Sequence, residues 1–108
     1  MTEAEAWLEP RTAGAPESLR GRMLAALRNV PQAAGVADSL AAAALACLQD
    51  ALRDPADRAH ALDLLAADAL FTHACEAAAA DGSAALEQFA RAWDATRFTQ
   101  LLSADAHD

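Results

Sequence analysis

Histidine, cysteine and carboxylate side chains occur along the predicted helices, and their spacing decides which chemistry they could share. His73 and Cys75 are two positions apart, so on a helix they point about 200° away from each other and cannot bind one metal ion. Asp57 and His60 have the acid-x-x-His spacing of di-iron bundles, but those sites need the motif twice, with glutamates from two other helices. We therefore expect no metal site and no cofactor.

Nucleophilic catalysis has no visible basis either. Cys75 has no base near it in the sequence, and neither a G-x-S-x-G motif nor a glycine-rich phosphate loop occurs. Cys47 and Cys75 both lie within helical patterns, which does not resemble the disulfide framework of a secreted domain. The sequence thus predicts a non-enzymatic protein with two small buried thiols.

The charge balance limits the possible partners. The 108 residues include 16 acidic and 8 basic side chains, for a net charge of −8. Nucleic acids and anionic membrane surfaces attract basic patches, which this composition does not provide. The start, MTEAEAWLEP, has no apolar run of the secretory type, and SLAAAALACL is too short to span a bilayer. We expect a cytoplasmic protein with no nucleic-acid partner and no integral membrane segment.

Proline, glycine and aspartate residues divide the chain into its predicted elements. Residues 1–15 read as an extended or partly ordered leader, 16–104 as a single helical bundle domain, and 105–108 as a frayed tail. The predicted helices run from Pro16 to Val30, from Val36 to Leu52, from Pro55 to Ala80 and from Ser83 to about Leu101. Since no alternating strand pattern occurs, we predict an all-α, alanine-rich, antiparallel bundle of about four helices.

The third predicted helix has large apolar residues on two separated sides. At 100° steps, Leu64, Asp68, Phe71 and Cys75 form one stripe. A second stripe on another side of the helix consists of Leu62, Leu65, Ala69 and His73. One apolar stripe is enough to pack a helix against the core of a bundle. Two stripes therefore indicate a further contact with neighbouring helices or with a second protomer.

Two polar residues in these stripes have alternative interpretations. Asp68 either lies at a dimer interface or between helices and pairs with an arginine, with Arg91 and Arg97 as candidates, or hydrogen-bonds Thr72 at a solvent-exposed edge. His73 either pairs with Glu76 one turn on, or acts as a pH switch.

The leader contains Trp7 and Leu8 between polar residues and proline. These two side chains either dock onto the chain's own bundle or anchor another protein, because tryptophan is enriched in interface hot spots. We predict a protein–protein interaction protein or an accessory subunit of a larger assembly, which binds another protein or itself, with homo-oligomerisation expected. The predicted interface residues are Trp7, Leu8, Leu64, Asp68, Phe71 and Trp93.

A first alternative comes from residues 58–82, RAHALDLLAADALFTHACEAAAADG. This segment resembles the central hairpin of histidine phosphotransfer domains, whose phosphorylated histidine stands in an H-x-L-K-G pattern. The resemblance implies that His60 is the phosphoacceptor and that Leu62 is the apolar position of the motif. Asp63 stands in place of the lysine and Leu64 in place of the glycine, and an acid at the lysine position would repel a phosphoryl group.

A second alternative is an apolar small ligand bound between helices. Phe71, Phe89 and Trp93 would line such a site, because all three fall on the predicted inner faces of the third and fourth helices.

Overall fold

The structure is a computed structural model that describes residues 2–31, 35–54 and 56–106. Every regular element in these ranges is a helix, which confirms the prediction of an all-α fold. The helices within the described ranges are α1 (Glu3–Arg11), α2 (Glu17–Asn29), α3 (Val36–Arg53), α4 (Ala59–Ala80), α5 (Ser83–Ala92) and α6 (Ala95–Ala106). None of the helices in these ranges is long and apolar enough to cross a membrane.

Helices α3 and α4 form the centre of the molecule and pack against each other over most of their length. Their connection is short, so they run antiparallel, with Ala51 of α3 beside His60 of α4. Small side chains are frequent on the buried faces of the two helices: Ala41, Ala44 and Ala74 are each at most 2% exposed. Alanine at such positions lets two helix axes approach to near the lower end of the usual range of about 8–10 Å.

Residues 1–15, predicted as an extended or partly ordered leader, contain α1, so the extended form is wrong over Glu3–Arg11. Thr2 caps this helix, since its hydroxyl oxygen accepts a hydrogen bond from the backbone N–H of Glu5 at 3.1 Å. The spacing Thr2-x-x-Glu5 is that of a capping box. Leu8 lies on the inner face and is completely buried against the bundle, and Ala4 is buried on the same helix, so the burial of apolar side chains fixes α1 on the surface of the domain.

The fourth predicted helix is also two helices rather than one. It stops at Ala92, where Trp93 leaves the helical region with φ −122° and ψ 37°. Asp94 starts α6, because its carboxylate accepts a hydrogen bond from the backbone N–H of Arg97 at 2.8 Å. Together with α1, this break raises the number of helices in the described residues above the predicted four.

The remaining boundaries lie close to the prediction. Val30, which precedes Pro31, is extended and ends α2 as proline requires. Gly82 separates α4 from α5 with φ +108°, a backbone conformation that favours glycine. The predicted start of the third helix at Pro55 lies outside the described residues, and α4 begins at Ala59. The last two residues of the predicted tail lie outside them as well.

A cluster of ion pairs connects three helices on one side of the centre. Arg22 of α2 pairs with Asp50 of α3 and with Asp63 of α4. The cluster therefore fixes α2 across the α3–α4 pair.

Candidate binding groove

A groove of about 580 Å³ opens between α3, α4 and the junction of α5 with α6. We call it the aromatic groove and define it by the residues that line it. These are Ala44, Leu48, Leu64, Ala67, Asp68, Phe71, Trp93, Ala95 and Phe98. The lining is apolar except for Asp68.

Aromatic rings form the wall of the groove nearest to α6. The rings of Phe71 and Phe98 meet edge to face with centroids 5.3 Å apart. Trp93 lies 5.8 Å from Phe98, and Phe89 lies 5.8 Å from Phe71 on the buried side. Such pairs add about 0.5–1.5 kcal/mol each beyond the area they bury. The rings therefore hold α6 against α4.

A hydrogen bond sets the position of Trp93. Its indole Nε1 donates to Oδ1 of Asp38 at 3.0 Å, which connects the end of α5 to the first turn of α3. With the polar end of the indole ring bonded in this way, its apolar surface faces the groove.

The floor of the groove is one of the two stripes predicted on α4. Leu64, Asp68 and Phe71 are spaced four and three residues apart and share one face of the helix. The side chain of Leu64 is 54% exposed, and that of Leu65, which does not line the groove, is 58% exposed. The stripe is thus an open apolar surface, distinct from the buried face formed by Ala66, Leu70 and Ala74.

Asp68 is the charged residue of the groove, and it is exposed. Among the described residues, its carboxylate forms neither an ion pair nor a hydrogen bond, so the expected pairing with Arg91 or Arg97 is absent there. The hydroxyl of Thr72 donates at 2.9 Å to the backbone carbonyl of Asp68 instead of to its carboxylate.

The structure brings four of the six predicted interface residues together, namely Leu64, Asp68, Phe71 and Trp93. The other two, Trp7 and Leu8, lie away from the groove. Leu8 is 0% exposed within its own chain, which removes it from any surface. Trp7 is half-buried and docks onto the bundle.

The contacts of Trp7 are intramolecular. Its ring meets that of His73 edge to face at 6.0 Å, and the guanidinium carbon of Arg11 lies 3.8 Å from the ring centroid. The second stripe of α4 therefore packs in part beneath α1. His73 also has Nδ1 at 3.4 Å from Oε2 of Glu76, the partner predicted from the sequence.

The surroundings of His60 give the phosphotransfer alternative no support. His60 lies in the first turn of α4, and its Nδ1 is 3.4 Å from the carbonyl oxygen of Ala51 in α3. Asp63, at the position of the motif's lysine, is engaged by Arg22, and Leu64, at the position of its glycine, lines the aromatic groove.

The surroundings of both thiols favour the protonated form. The pKa of Cys47 is raised to about 11, mainly because the thiol is buried; Arg22 opposes the rise, and the acidic neighbours Asp63 and Asp50 contribute to it. Burial also raises the pKa of Cys75, with a smaller contribution from Glu76. In the part of the chain that the structure describes, no three metal-ligating side chains converge on one point.

Several groove residues could not be identified from the sequence. Phe98 was missed because, on one continuous helix, it would lie about 140° away from Trp93. The break at Asp94 redirects the chain and brings both rings to the same wall. Asp94 followed by a helical pattern is the feature of the sequence that could have predicted this break. Leu48 lines the groove because α3 packs on α4, and no local sequence pattern predicts this packing.

Comparisons of the chain with protein-family models, with curated proteins and with solved structures find no match.

Proposed function

We propose that this protein is a non-enzymatic interaction protein, an accessory subunit of a larger assembly, and that an amphipathic helix of a different protein binds in its aromatic groove. The observation that carries the proposal is the exposed apolar floor, above all Leu64, which is 54% exposed beside the aromatic wall of the groove. Contiguous exposed apolar surface of this kind marks interaction sites.

The shape of the surface favours a helix as the occupant. Leu48 lines the groove, and Leu52, one turn further along α3, is 54% exposed. The apolar surface therefore extends along the α3–α4 pair beyond the groove itself. An elongated apolar surface between two helices accepts a third helix whose anchors recur at i, i+3, i+4 and i+7.

Charge favours a different protein over a second copy of this chain. In a two-fold symmetric contact through the groove, the Asp68 carboxylates of both copies would lie in the same interface. Like charges in an interface oppose association. Both copies would also carry a net charge of −8. Homo-oligomerisation through this surface is therefore the less favourable arrangement.

A small apolar molecule is the second candidate occupant. The volume of about 580 Å³ lies within the range of about 300–1,000 Å³ that is typical of small-molecule sites. Such sites bury most of the ligand, whereas Leu64 on the groove floor stays half exposed. The open form of the groove thus favours the helix.

The test is a selection from a display library of amphipathic helical peptides of about 18 residues, roughly 27 Å long. Wild-type protein serves as bait, and the enriched peptides are synthesised and titrated by isothermal calorimetry. The matched variants are Leu64→Gln and Leu65→Gln, which remove neighbouring leucines of almost equal exposure, one inside the groove and one outside it. Circular dichroism checks that both variants fold.

We expect enriched peptides to bind wild type and Leu65→Gln equally and to bind Leu64→Gln at least tenfold more weakly. Enriched peptides that are indifferent to Leu64→Gln, or a library that yields no binder, would overturn the proposal. Light scattering provides a further check: a wild-type dimer that Leu64→Gln dissociates would make a second copy the occupant. Saturable one-to-one binding of Nile red without any peptide binder would identify a small-molecule site.

A further inference from the structure

We infer that the aromatic groove selects a helix with one arginine or lysine between two apolar anchors, and that this cation pairs with Asp68. The inference rests on the proposed function and specifies the chemistry of the partner. It depends on the position of one carboxylate within an otherwise apolar lining.

The physical basis is the cost of covering a charge. Asp68 is hydrated in the free protein because it is exposed. A helix that fills the groove removes that water, and an unpaired carboxylate in a dry interface opposes binding. A cationic side chain on the incoming helix compensates for the loss, because charge-assisted hydrogen bonds are among the stronger ones.

In the described part of the chain, the arginines of α5 and α6 do not pair with Asp68. Arg91 and Arg97, the two basic residues of α5 and α6, are exposed, and neither forms an ion pair among the described residues. The net charge of −8 also attracts a basic segment over longer distances and disfavours an acidic one.

The spacing on α4 indicates where the cation stands in the partner. Asp68 is four residues after Leu64 and three before Phe71, so the carboxylate lies one turn from each apolar contact. A helix packed along α4 therefore places its basic residue three or four positions from an apolar anchor on each side. The expected pattern is apolar, two or three intervening residues, arginine or lysine, two or three intervening residues, apolar.

The experiment compares two synthetic versions of one groove-binding peptide, with either arginine or its uncharged isostere citrulline at the central position. Each is titrated against wild type, Asp68→Asn and the control Glu87→Gln, which removes an exposed acid of α5 outside the groove. We expect the arginine peptide to bind wild type and Glu87→Gln about tenfold more tightly than the citrulline peptide. In Asp68→Asn the two peptides should bind within about twofold of each other, and raising the salt concentration should reduce the wild-type difference.

The outcomes separate the inference from the function on which it rests. If both peptides bind wild type equally, or if the preference for arginine persists in Asp68→Asn, the charge selection is wrong, while Leu64-dependent binding still supports the groove as a docking site. If the selection yields no peptide whose binding depends on Leu64, both fail.

Discussion

Nε of Arg22 donates a hydrogen bond to Oδ1 of Asp63 at 2.6 Å, which joins α2 to α4. Nη2 of the same guanidinium donates to Oδ2 of Asp50 on α3 at 2.8 Å. The hydrogen bond with Asp63 is the main reason why the pKa of Arg22 is raised. One cation therefore connects three helices.

Replacing Arg22 should destabilise the fold. In Arg22→Met, Asp63 stays largely buried and loses its partner. We therefore expect the free energy of unfolding to fall by about 2 kcal/mol, which lies between the costs of breaking an exposed and a buried ion pair. Urea unfolding measures the change. The control is Arg53→Met, since Arg53 is exposed and pairs with the same Asp50 only within α3; this change should cost less than about 0.5 kcal/mol. Equal effects of the two variants would contradict the structural role of Arg22.

Enlarging an alanine at the α3–α4 contact should be poorly tolerated. Ala74 is completely buried, so Ala74→Leu forces the helices apart or strains the side chain, which costs about 1–3 kcal/mol. Thermal unfolding should show a Tm lowered by roughly 4–8 °C for each kcal/mol. Ala79→Leu on the exposed side of α4 is the control and should leave the Tm almost unchanged. A neutral Ala74→Leu would mean that the helices do not pack closely there.

Helix α6 should open before the rest of the molecule. None of the side chains from 95 to 103 is fully buried, and Phe98 provides its aromatic contacts with Phe71 and Trp93. In hydrogen exchange, the amides of α6 should exchange earlier than those of α3 and α4. Phe98→Ala should accelerate exchange in α6 by about fivefold, equivalent to about 1 kcal/mol.

Gln100→Ala is the control for this effect, since Gln100 is an exposed residue of the same helix. It should leave the exchange of α6 unchanged. If Phe98→Ala accelerates exchange equally in α3 and α4, α6 is part of the global unfolding unit and the prediction fails.

The buried thiol should make stability depend on alkaline pH. Burial is the main reason why the pKa of Cys47 rises from 9.0 to about 11. Between these values the folded state keeps a proton that the unfolded state has lost, so stability is complete below pH 9 and falls as the pH rises towards 11. The sequence contains neither lysine nor tyrosine, so few other groups titrate in this interval.

Urea unfolding at pH 8.5 and at pH 10.5 measures this dependence. Wild type should lose more stability between the two values than Cys47→Ala, which lacks the titrating group. An identical loss in both proteins would show that the Cys47 thiol is not protected in the folded state.

Local patterns were sufficient for the three helices α2, α3 and α4 and for one side of the groove. The spacing of Leu64, Asp68 and Phe71 places them on one helical face whatever the tertiary structure, because a helix has a fixed period. The boundaries at Val30 and Gly82 follow from the backbone restrictions of proline and glycine. The capping residues Thr2 and Asp94 were visible in the sequence as well, but capping residues also occur in turns that start no helix.

The other side of the groove depends on contacts between distant residues. Phe98 reaches Phe71 only because the chain breaks at Asp94 and turns back towards α4. The sequence also left open whether Trp7 is an anchor for another protein or docks onto its own bundle. Its contact with His73 arises from the packing of α1, which depends on the burial of Leu8 and has no local signature.

Asp63 and Leu64 are neighbours in the chain, yet one belongs to the ion-pair cluster that joins three helices and the other to the open groove. Successive residues of a helix point about 100° apart, which gives the two side chains different surroundings. On the proposed function, selection for a partner can act on Leu64 while Asp63 stays constrained by the fold. In related sequences we expect substitutions at the groove positions to accumulate without matching changes at Arg22, Asp50 and Asp63, so that one scaffold could diversify its partners over evolutionary time.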